Sequence, residues 1–329
     1  MYKIVGIMVC SLILFSCSNE EERIKKVTCV SSMSEISDTL FFGKIKNLIS
    51  NGKDIYFIDE YRECIVHTNV NDWKLRKLIG VAGEGPDELC NLLQFTLKND
   101  TLYALDGGCA KLVAYNLQGD ICAKYPLPLE SKLKIGYHFL VNGGNKMDIS
   151  TRSNAGAFVN MDLSNGNMSF WDERFRFEYA SQNIMRNGRH LFETTNGYIT
   201  VSDNMPQLVK YDMQKKRIEV YDYSDIPTVK KRLLQIEKEV TNTNSYGIIC
   251  EDACVSEDKL YLLLISNNDG FTKNRIAVFS LFPQIKWDGM LEMSGRIYST
   301  FCVSHDQLIA YESKSNCFDI FSLSNLWDE

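Results

Sequence analysis

The sequence is poor in the motifs that usually carry metal or nucleophilic chemistry. Its 329 residues include only four histidines, His67, His138, His190 and His305. None of them lies in an H-E-x-x-H arrangement, and the chain has neither a G-x-S-x-G elbow nor a G-x-x-x-x-G-K-S/T loop. We therefore predict no metal site and no cofactor from motif content.

The absence of a basic cluster and of a disulfide framework further narrows the classes of protein to which the chain could belong. The chain carries 36 Lys and Arg against 42 Asp and Glu, a net charge of −6 without a dense basic cluster, which argues against nucleic-acid binding. The 11 cysteines do not form a disulfide framework, because an odd number remains after Cys10 and Cys17 are assigned to the N-terminal segment. Cys250 and Cys254 form one close pair, but no second Cys or His pair stands at zinc-like spacing.

The N-terminal segment reads as a targeting signal. The apolar run over residues 4–15 is too short for an ordinary membrane span and suits a secretory signal. Residues 14–17 (LFSC) resemble a bacterial lipobox, which implies cleavage before Cys17 and lipidation, including palmitate, at Cys17; the alternative is a plain signal peptide. We expect a signal peptide over 1–16, a tether over 17–26 and a folded domain over 27–329.

The sequence of the predicted tether suggests a cellular location. Its acidic start, SNEEE, resembles the surface-export signal of lipoproteins from gut anaerobes. This likeness implies an outer-membrane lipoprotein that is exposed at the cell surface, with the membrane as a partner through the anchor. The alternative is a solvated linker, which any anchored domain needs.

A repeat runs along the remaining chain. Short turn-and-strand segments alternate with strands of the pattern seen in KLVAYNL (111–117) and QLVKYDM (207–213). The second positions of these six strands recur at intervals of 42 to 50 residues, with one interval of 68. Four strands per repeat and six repeats predict an all-β, six-bladed β-propeller with four-stranded blades.

Two irregularities complete this prediction. Apolar residues at helical spacing predict an inserted amphipathic helix over about 227–240, capped by Ser224 or Asp225, which explains the long interval. The chain ends too soon for a fourth strand in blade six, so we expect an N-terminal strand, residues 36–42, to close that blade.

The loop GVAGEGPDEL (80–89) carries the family resemblance. It resembles the G-x-G-P-G-E signature of six-bladed β-propeller lipoproteins of gut anaerobes, and is similar to the loops of NHL-type and TolB-like propellers. The match lies at Gly83, Gly85, Pro86 and Glu88, while Asp87 and Leu89 depart from it. The resemblance implies a fold and an envelope location without a reaction. We interpret the loop as the crossover from blade one to blade two, with Glu84, Asp87 and Glu88 as candidates for a ligand face.

The candidate channel acids are Asp59, Asp106 and Asp203, which follow corresponding strands of blades one, two and four. They either line a central channel or cap their own hairpins. The first functional hypothesis is a lipid-anchored module that binds a carbohydrate, a peptide or an envelope protein and is not an enzyme. The alternative is a propeller hydrolase or lyase that acts on a carbohydrate or lactone through channel carboxylates. No catalytic residue is assigned, and the ligand and the oligomeric state stay open.

Overall fold

The computed structural model describes residues 23–36, 40–128, 135–143, 145–151, 155–267 and 270–324. The predicted signal peptide and Cys17 lie outside these residues. Among the described residues, no helix is long and apolar enough to cross a membrane.

The chain forms a six-bladed β-propeller, as predicted. Each of the first four blades is an antiparallel sheet whose strands follow chain order. Blades one and two consist of β5 (Ile45–Ser50), β6 (Asp54–Asp59), β7 (Cys64–Asn69) and β8 (Leu75–Ile79), then β9 (Leu92–Lys98), β10 (Thr101–Asp106), β11 (Lys111–Asn116) and β12 (Ile121–Pro126). Blades three and four consist of β13 (Ile135–Asn142), β14 (Lys146–Thr151), β15 (Phe158–Asp162) and β16 (Met168–Trp171), then β17 (Arg189–Thr194), β18 (Gly197–Ser202), β19 (Gln207–Tyr211) and β20 (Arg217–Asp222).

The last two blades borrow strands from the N-terminus. Blade five adds β1 (Ile24–Lys26) to β21 (Cys250–Ser256), β22 (Lys259–Ser266), β23 (Thr272–Ser280) and β24 (Lys286–Glu292). Blade six joins β2 (Cys29–Met33) to β25 (Tyr298–Ser304), β26 (Gln307–Glu312) and β27 (Cys317–Ser322). The innermost strands β5, β9, β13, β17, β21 and β25 contact one another in cyclic order, so the ring is closed.

Ring closure by an N-terminal strand is confirmed, but the predicted segment is wrong. The strand is β2, which pairs antiparallel with β27, rather than residues 36–42. Part of the predicted segment forms the small hairpin of β3 (Glu35–Ile36) and β4 (Leu40–Phe41). Ile36 and Phe42 are buried in the core between blades six and one, where the Phe42 ring lies 4.7 Å from that of Phe318. Their side chains serve packing, so the closing strand comes from the residues before them.

The strand β1 begins inside the predicted tether. It pairs in parallel with the outer strand of blade five, with Ile24 opposite Met290. Val27, the first residue of the predicted domain, is already buried against blades five and six. The segment from Ile24 to Val27 is therefore paired with blade five and packed against blade six, directly before the strand that closes the ring.

The inserted helix is confirmed between blades four and five. Helix α2 (Pro227–Glu239) places Pro227 in its first turn and buries Thr228, Val229 and Arg232. Its N-cap is Ile226, without a side-chain cap, so Ser224 and Asp225 do not cap it as predicted. A short helix, α1 (Ala180–Met185), precedes blade four and was not predicted.

Candidate functional site

The ring encloses an axial cavity of about 480 Å³. All six innermost strands contribute residues to its wall. A volume of this size is typical of small-molecule sites. The described residues thus place a concave site on the propeller axis.

Charged side chains in the cavity wall are mostly neutralised by partners. Glu193 pairs with Lys98, and Glu251 pairs with Lys273 at 2.6 Å. Lys46 lies 2.8 Å from Glu60. Because these charges are already paired, the wall offers a ligand mainly hydrogen-bonding groups rather than a net field.

At four of the six junctions between blades, a recurring hydrogen bond near the start of the innermost strands joins one blade to the next. The backbone N–H of Phe95 donates to Oδ1 of Asn47 at 2.7 Å, and that of Phe139 donates to Oε1 of Gln94 at 3.2 Å. On the other side of the ring, Phe301 N–H donates to Asp252 at 3.1 Å, and Leu48 N–H donates to Thr300 at 3.1 Å. Blades one, two, five and six thus each place a side-chain acceptor at one ring position. Below we call it the locking position.

In blades three and four the locking position is histidine. His138 on β13 precedes Phe139, which receives the lock from blade two, and His190 occupies the matching place on β17. Within the described residues, neither imidazole makes a lock to the next blade. The two rings instead lie 3.8 Å apart, centre to centre, and both line the cavity. These two blades therefore use this position differently from the other four.

The backbone helps to direct His138. Its strand pairs regularly with β14 only from Phe139 onward, after an irregular segment that begins at Ile135. Such bulges bend a strand and re-aim a side chain, and they occur often beside functional sites. The bulge therefore lets His138 reach the ring of His190 on the next blade.

Asp203 completes the group. Its Oδ1 lies 3.1 Å from Nε2 of His190, and its Oδ2 lies 4.0 Å from Nε2 of His138. Oδ1 is buried and accepts no well-aligned hydrogen bond from the described residues. The Asp203 backbone is held firmly, because its carbonyl accepts the N–H groups of Ile249 at 2.8 Å and Cys250 at 3.2 Å. Below we call His138, His190 and Asp203 the triad.

The three groups influence one another's protonation. Burial, with the charge of His190, lowers the pKa of His138 to about 3, although Asp203 acts in the opposite direction. Burial also lowers the pKa of His190, but the carboxylate of Asp203 outweighs it and leaves that pKa above its ordinary value. His138 is therefore a neutral imidazole near neutral pH, with a ring nitrogen lone pair available to a ligand.

The other two candidate channel acids lie away from the cavity wall. The buried Asp59 accepts the N–H groups of Tyr61 at 3.0 Å and Arg62 at 3.2 Å. Asp106 accepts two turn N–H groups, of Gly108 and Cys109, and two from the strand entry at Cys90 and Asn91, all between 3.0 and 3.2 Å. Both carboxylates thus cap their hairpins, which is the second of the two roles considered for them, and neither residue lines the axial cavity.

In blade four the residue that corresponds to Asp59 and Asp106 is Ser202, one position before Asp203. Asp59, Asp106 and Glu312 each accept N–H groups from the second and third residues that follow them. In blade four Ser202 does this, since its Oγ accepts the N–H groups of Asn204 at 3.3 Å and Met205 at 3.2 Å. The turn is thus capped without Asp203, whose carboxylate is left for the two histidines.

The loop over 80–89 connects β8 to β9, as predicted, and its acids divide into two kinds. Glu88 folds back so that its Oε2 accepts the Gly85 N–H at 2.8 Å, and at Gly83 a side chain would collide with this carboxylate. Glu84 and Asp87 are exposed, and Asp87 pairs with Lys124. None of the three lines the axial cavity. Glu88 therefore holds the turn, while the other two face solvent.

Sequence reasoning missed most of the cavity wall. Glu193, Glu251 and Asp252 line it, together with the two histidines. Their signal in the sequence is weak: Glu251 and Asp252 lie near the start of β21, whereas Glu193 lies near the end of β17, so no common strand position marks them. Nothing local to a single blade shows that these side chains meet across the axis.

A closed ring of six sheets, five with four strands and one with five, around an axial cavity defines the class as a six-bladed β-propeller. Comparison with known families agrees: the six-bladed β-propeller family DUF5128 matches residues 35–233, more than half of the chain. The chain belongs to this family.

Solved structures show the same fold at low identity. An exported protein of Bacteroides fragilis is 12% identical, with a TM-score of 0.60 over 91% of this chain and 98% of its own. A member of the DUF4221 family from Bacteroides vulgatus is also 12% identical, with a TM-score of 0.59 over 90% and 97%. The WD40 domain of Pan2 from Neurospora crassa is 9% identical, with a TM-score of 0.50 over 86% and 90%. No curated protein matches the sequence.

Proposed function

We propose that this chain is a lipid-anchored propeller of the cell envelope that binds a small polar ligand in its axial cavity. The observation that carries the proposal is the cavity itself, about 480 Å³ in volume and walled by all six blades. A rigid ring suits recognition, because a preformed site loses little conformational entropy when it binds.

The chemistry of the wall favours an oxygen-rich ligand such as a carbohydrate or a short peptide. Hydroxyl, amide and imidazole groups from different blades meet the cavity, including Ser50, Thr96 and His138. The lining acids and lysines are largely paired with one another or with nearby residues. A ligand would therefore gain hydrogen bonds on entry without having to neutralise a strong charge.

A ligand screen read by thermal shift tests this proposal. The chain from residue 18 onward, which lacks the predicted lipidation site Cys17, is melted with panels of oligosaccharides and peptides, and we expect at least one class to raise the melting temperature. Thr96→Trp, which fills the cavity, should abolish the shift. Thr243→Trp, the same change on an exposed loop, should leave it intact. A shift that survives Thr96→Trp would place the ligand elsewhere on the surface.

The anchor is tested separately. LFSC at residues 14–17 and the acidic residues behind it support lipidation of Cys17 and an outer-membrane, surface-exposed location. Metabolic labelling with a fatty acid should mark the full-length chain and fail on Cys17→Ala, while Cys122→Ala retains the label. An unlabelled mature chain would contradict the anchor. Protease treatment of intact cells would then distinguish the outer surface from the periplasmic face.

A second candidate function is a hydrolase or lyase acting on a carbohydrate or lactone. It is favoured by the acids Glu193, Glu251 and Asp252, which lie in the same wall as His138 and His190. Burial raises the pKa of Asp252, against the effects of His190 and its hydrogen-bond donors, and such a shift suits a group that exchanges protons. Turnover of a ligand found in the screen, lost in Asp252→Asn, would establish this function over simple binding.

A further inference from the structure

We propose that His138, His190 and Asp203 form a binding site for a divalent transition metal, with Zn²⁺ as the best-suited ion, in the wall of the axial cavity. Nothing in the motif content of the sequence predicts it. The inference goes beyond the proposed ligand binding, because the metal site stands on its own geometry.

The first argument is the donor set. Each of the three residues offers one ligand atom, and these atoms all lie within 4.8 Å of one another. Two imidazoles and one carboxylate are a set that zinc and iron use when a site keeps a coordination position open. Calcium and magnesium prefer oxygen ligands, so two imidazoles select against them.

The second argument is distance. Metal–ligand bonds to nitrogen and oxygen are about 2.0–2.2 Å long, so neighbouring ligand atoms on one ion stand roughly 3.0–3.5 Å apart. His190 Nε2 and Asp203 Oδ1 already lie 3.1 Å apart. His138 Nε2 lies 4.0 Å from Asp203 Oδ2, which a small rotation of its side chain would correct.

The third argument is that the polar residues at this junction differ in their contacts from the corresponding residues of the other blades. The locking position holds a hydrogen-bond acceptor for the next blade at Asn47, Gln94 and Thr300. His138 and His190 make no such lock within the described residues. Asp203 is likewise released from turn capping by Ser202, and its buried Oδ1 lacks a well-aligned donor. These three side chains therefore do not take the structural roles that their counterparts in other blades take, and all three converge at the junction of blades three and four.

The fourth argument is access. His138 and His190 line the cavity, and Asp203 closes the group from behind. An ion bound by these three residues would keep at least one coordination position toward the cavity, where water or a ligand oxygen could bind. The backbone at Asp203 is anchored, because its carbonyl accepts the N–H groups of Ile249 and Cys250 in the segment that enters blade five.

Calorimetric titration of the chain from residue 18 onward with Zn²⁺ alone tests the proposal. Exposed thiols would also take up zinc, so Cys109 and Cys122 are first changed to serine and a reductant is present. We expect one Zn²⁺ per chain. His138→Gln, His190→Gln and Asp203→Asn should each weaken binding by about tenfold or more. His305→Gln and Asp306→Asn, matched changes on an exposed turn, should leave it unchanged.

Folding is checked by melting each variant in a chelator, so that lost binding is not confused with lost structure. Substitution with Co²⁺ gives a second readout, since its visible absorption changes when imidazole and carboxylate ligands replace water. Failure to bind Zn²⁺, or binding that none of the three variants weakens, would overturn the metal site. Ligand-induced stabilisation without zinc binding would refute the metal site and leave the proposed function standing. Zinc binding without stabilisation by any ligand would support the metal site and count against the proposed function.

Discussion

Blade two and blade four are built on the same four-stranded plan but use their polar residues in opposite ways. In blade two, Asp106 caps its hairpin and Gln94 accepts a hydrogen bond from the neighbouring blade, so both side chains stabilise the fold. In blade four, Ser202 caps the hairpin, while Asp203 and His190 face each other beside the cavity. The difference shows that in blade four Asp203 and His190 do not support the turn or the contact between blades, so both side chains are available to a ligand.

The largest contrast should come from the turn acids. Asp106→Ala leaves four backbone N–H groups without their acceptor, and we expect the free energy of unfolding to fall by about 3 kcal/mol. Asp203→Ala removes no acceptor from the backbone and should cost less than about 1 kcal/mol. Urea unfolding of both variants measures the two losses. Equal losses would show that the two acids share one structural role.

The locking position should give the next largest difference. Gln94→Ala strands the buried N–H of Phe139 and should lower stability by roughly 1–2 kcal/mol. His190→Gln places in blade four the residue that blade two uses, and we expect no loss of stability when metal is absent. Urea unfolding in a chelator measures both. A large loss for His190→Gln would mean that the imidazole already supports the fold.

Exchanging two residues would convert blade four toward blade two. In Ser202→Asp with Asp203→Ser, the carboxylate moves to the capping position and leaves the triad. We expect stability to change by less than about 1 kcal/mol, because a carboxylate is at least as good a cap as a hydroxyl. Zinc binding should be lost in the same calorimetric titration. Retained zinc binding would show that Asp203 is not a ligand.

The smallest effect expected is a change in pH dependence at the capping acid of blade six. Burial raises the pKa of Glu312, but hydrogen bonds from Ser315 and from backbone N–H groups lower it further, so the net pKa lies below its ordinary value. The stabilisation is therefore complete above about pH 5 and is lost as the pH falls through the lowered pKa. Glu312→Gln should flatten the decline of stability between about pH 5 and pH 3, as measured by urea unfolding across that range. An unchanged slope would mean that Glu312 is equally acidic in the unfolded chain.

The predicted and observed blades agree because each blade forms from strands that are close together in the sequence. Alternating apolar residues and turn residues such as those of KLVAYNL (111–117) specify strands and hairpins within about 45 residues. The helix over 227–239 shows its own period in the same way. The capping positions are harder to predict, because the adjacent residues Ser202 and Asp203 both suit a turn cap and only the hydrogen bonds of the structure show that Ser202 takes this role.

By itself, the sequence determined the six blades, the inserted helix and the need for an N-terminal strand, because these follow from periodicity and from counting strands. Only the tertiary structure decided which strand closes the ring, since Ile36 and Phe42 are drawn into the core between blades. It also decided the triad. His138 and His190 lie on different blades, and no local pattern records that ring closure turns two neighbouring innermost strands toward one axis.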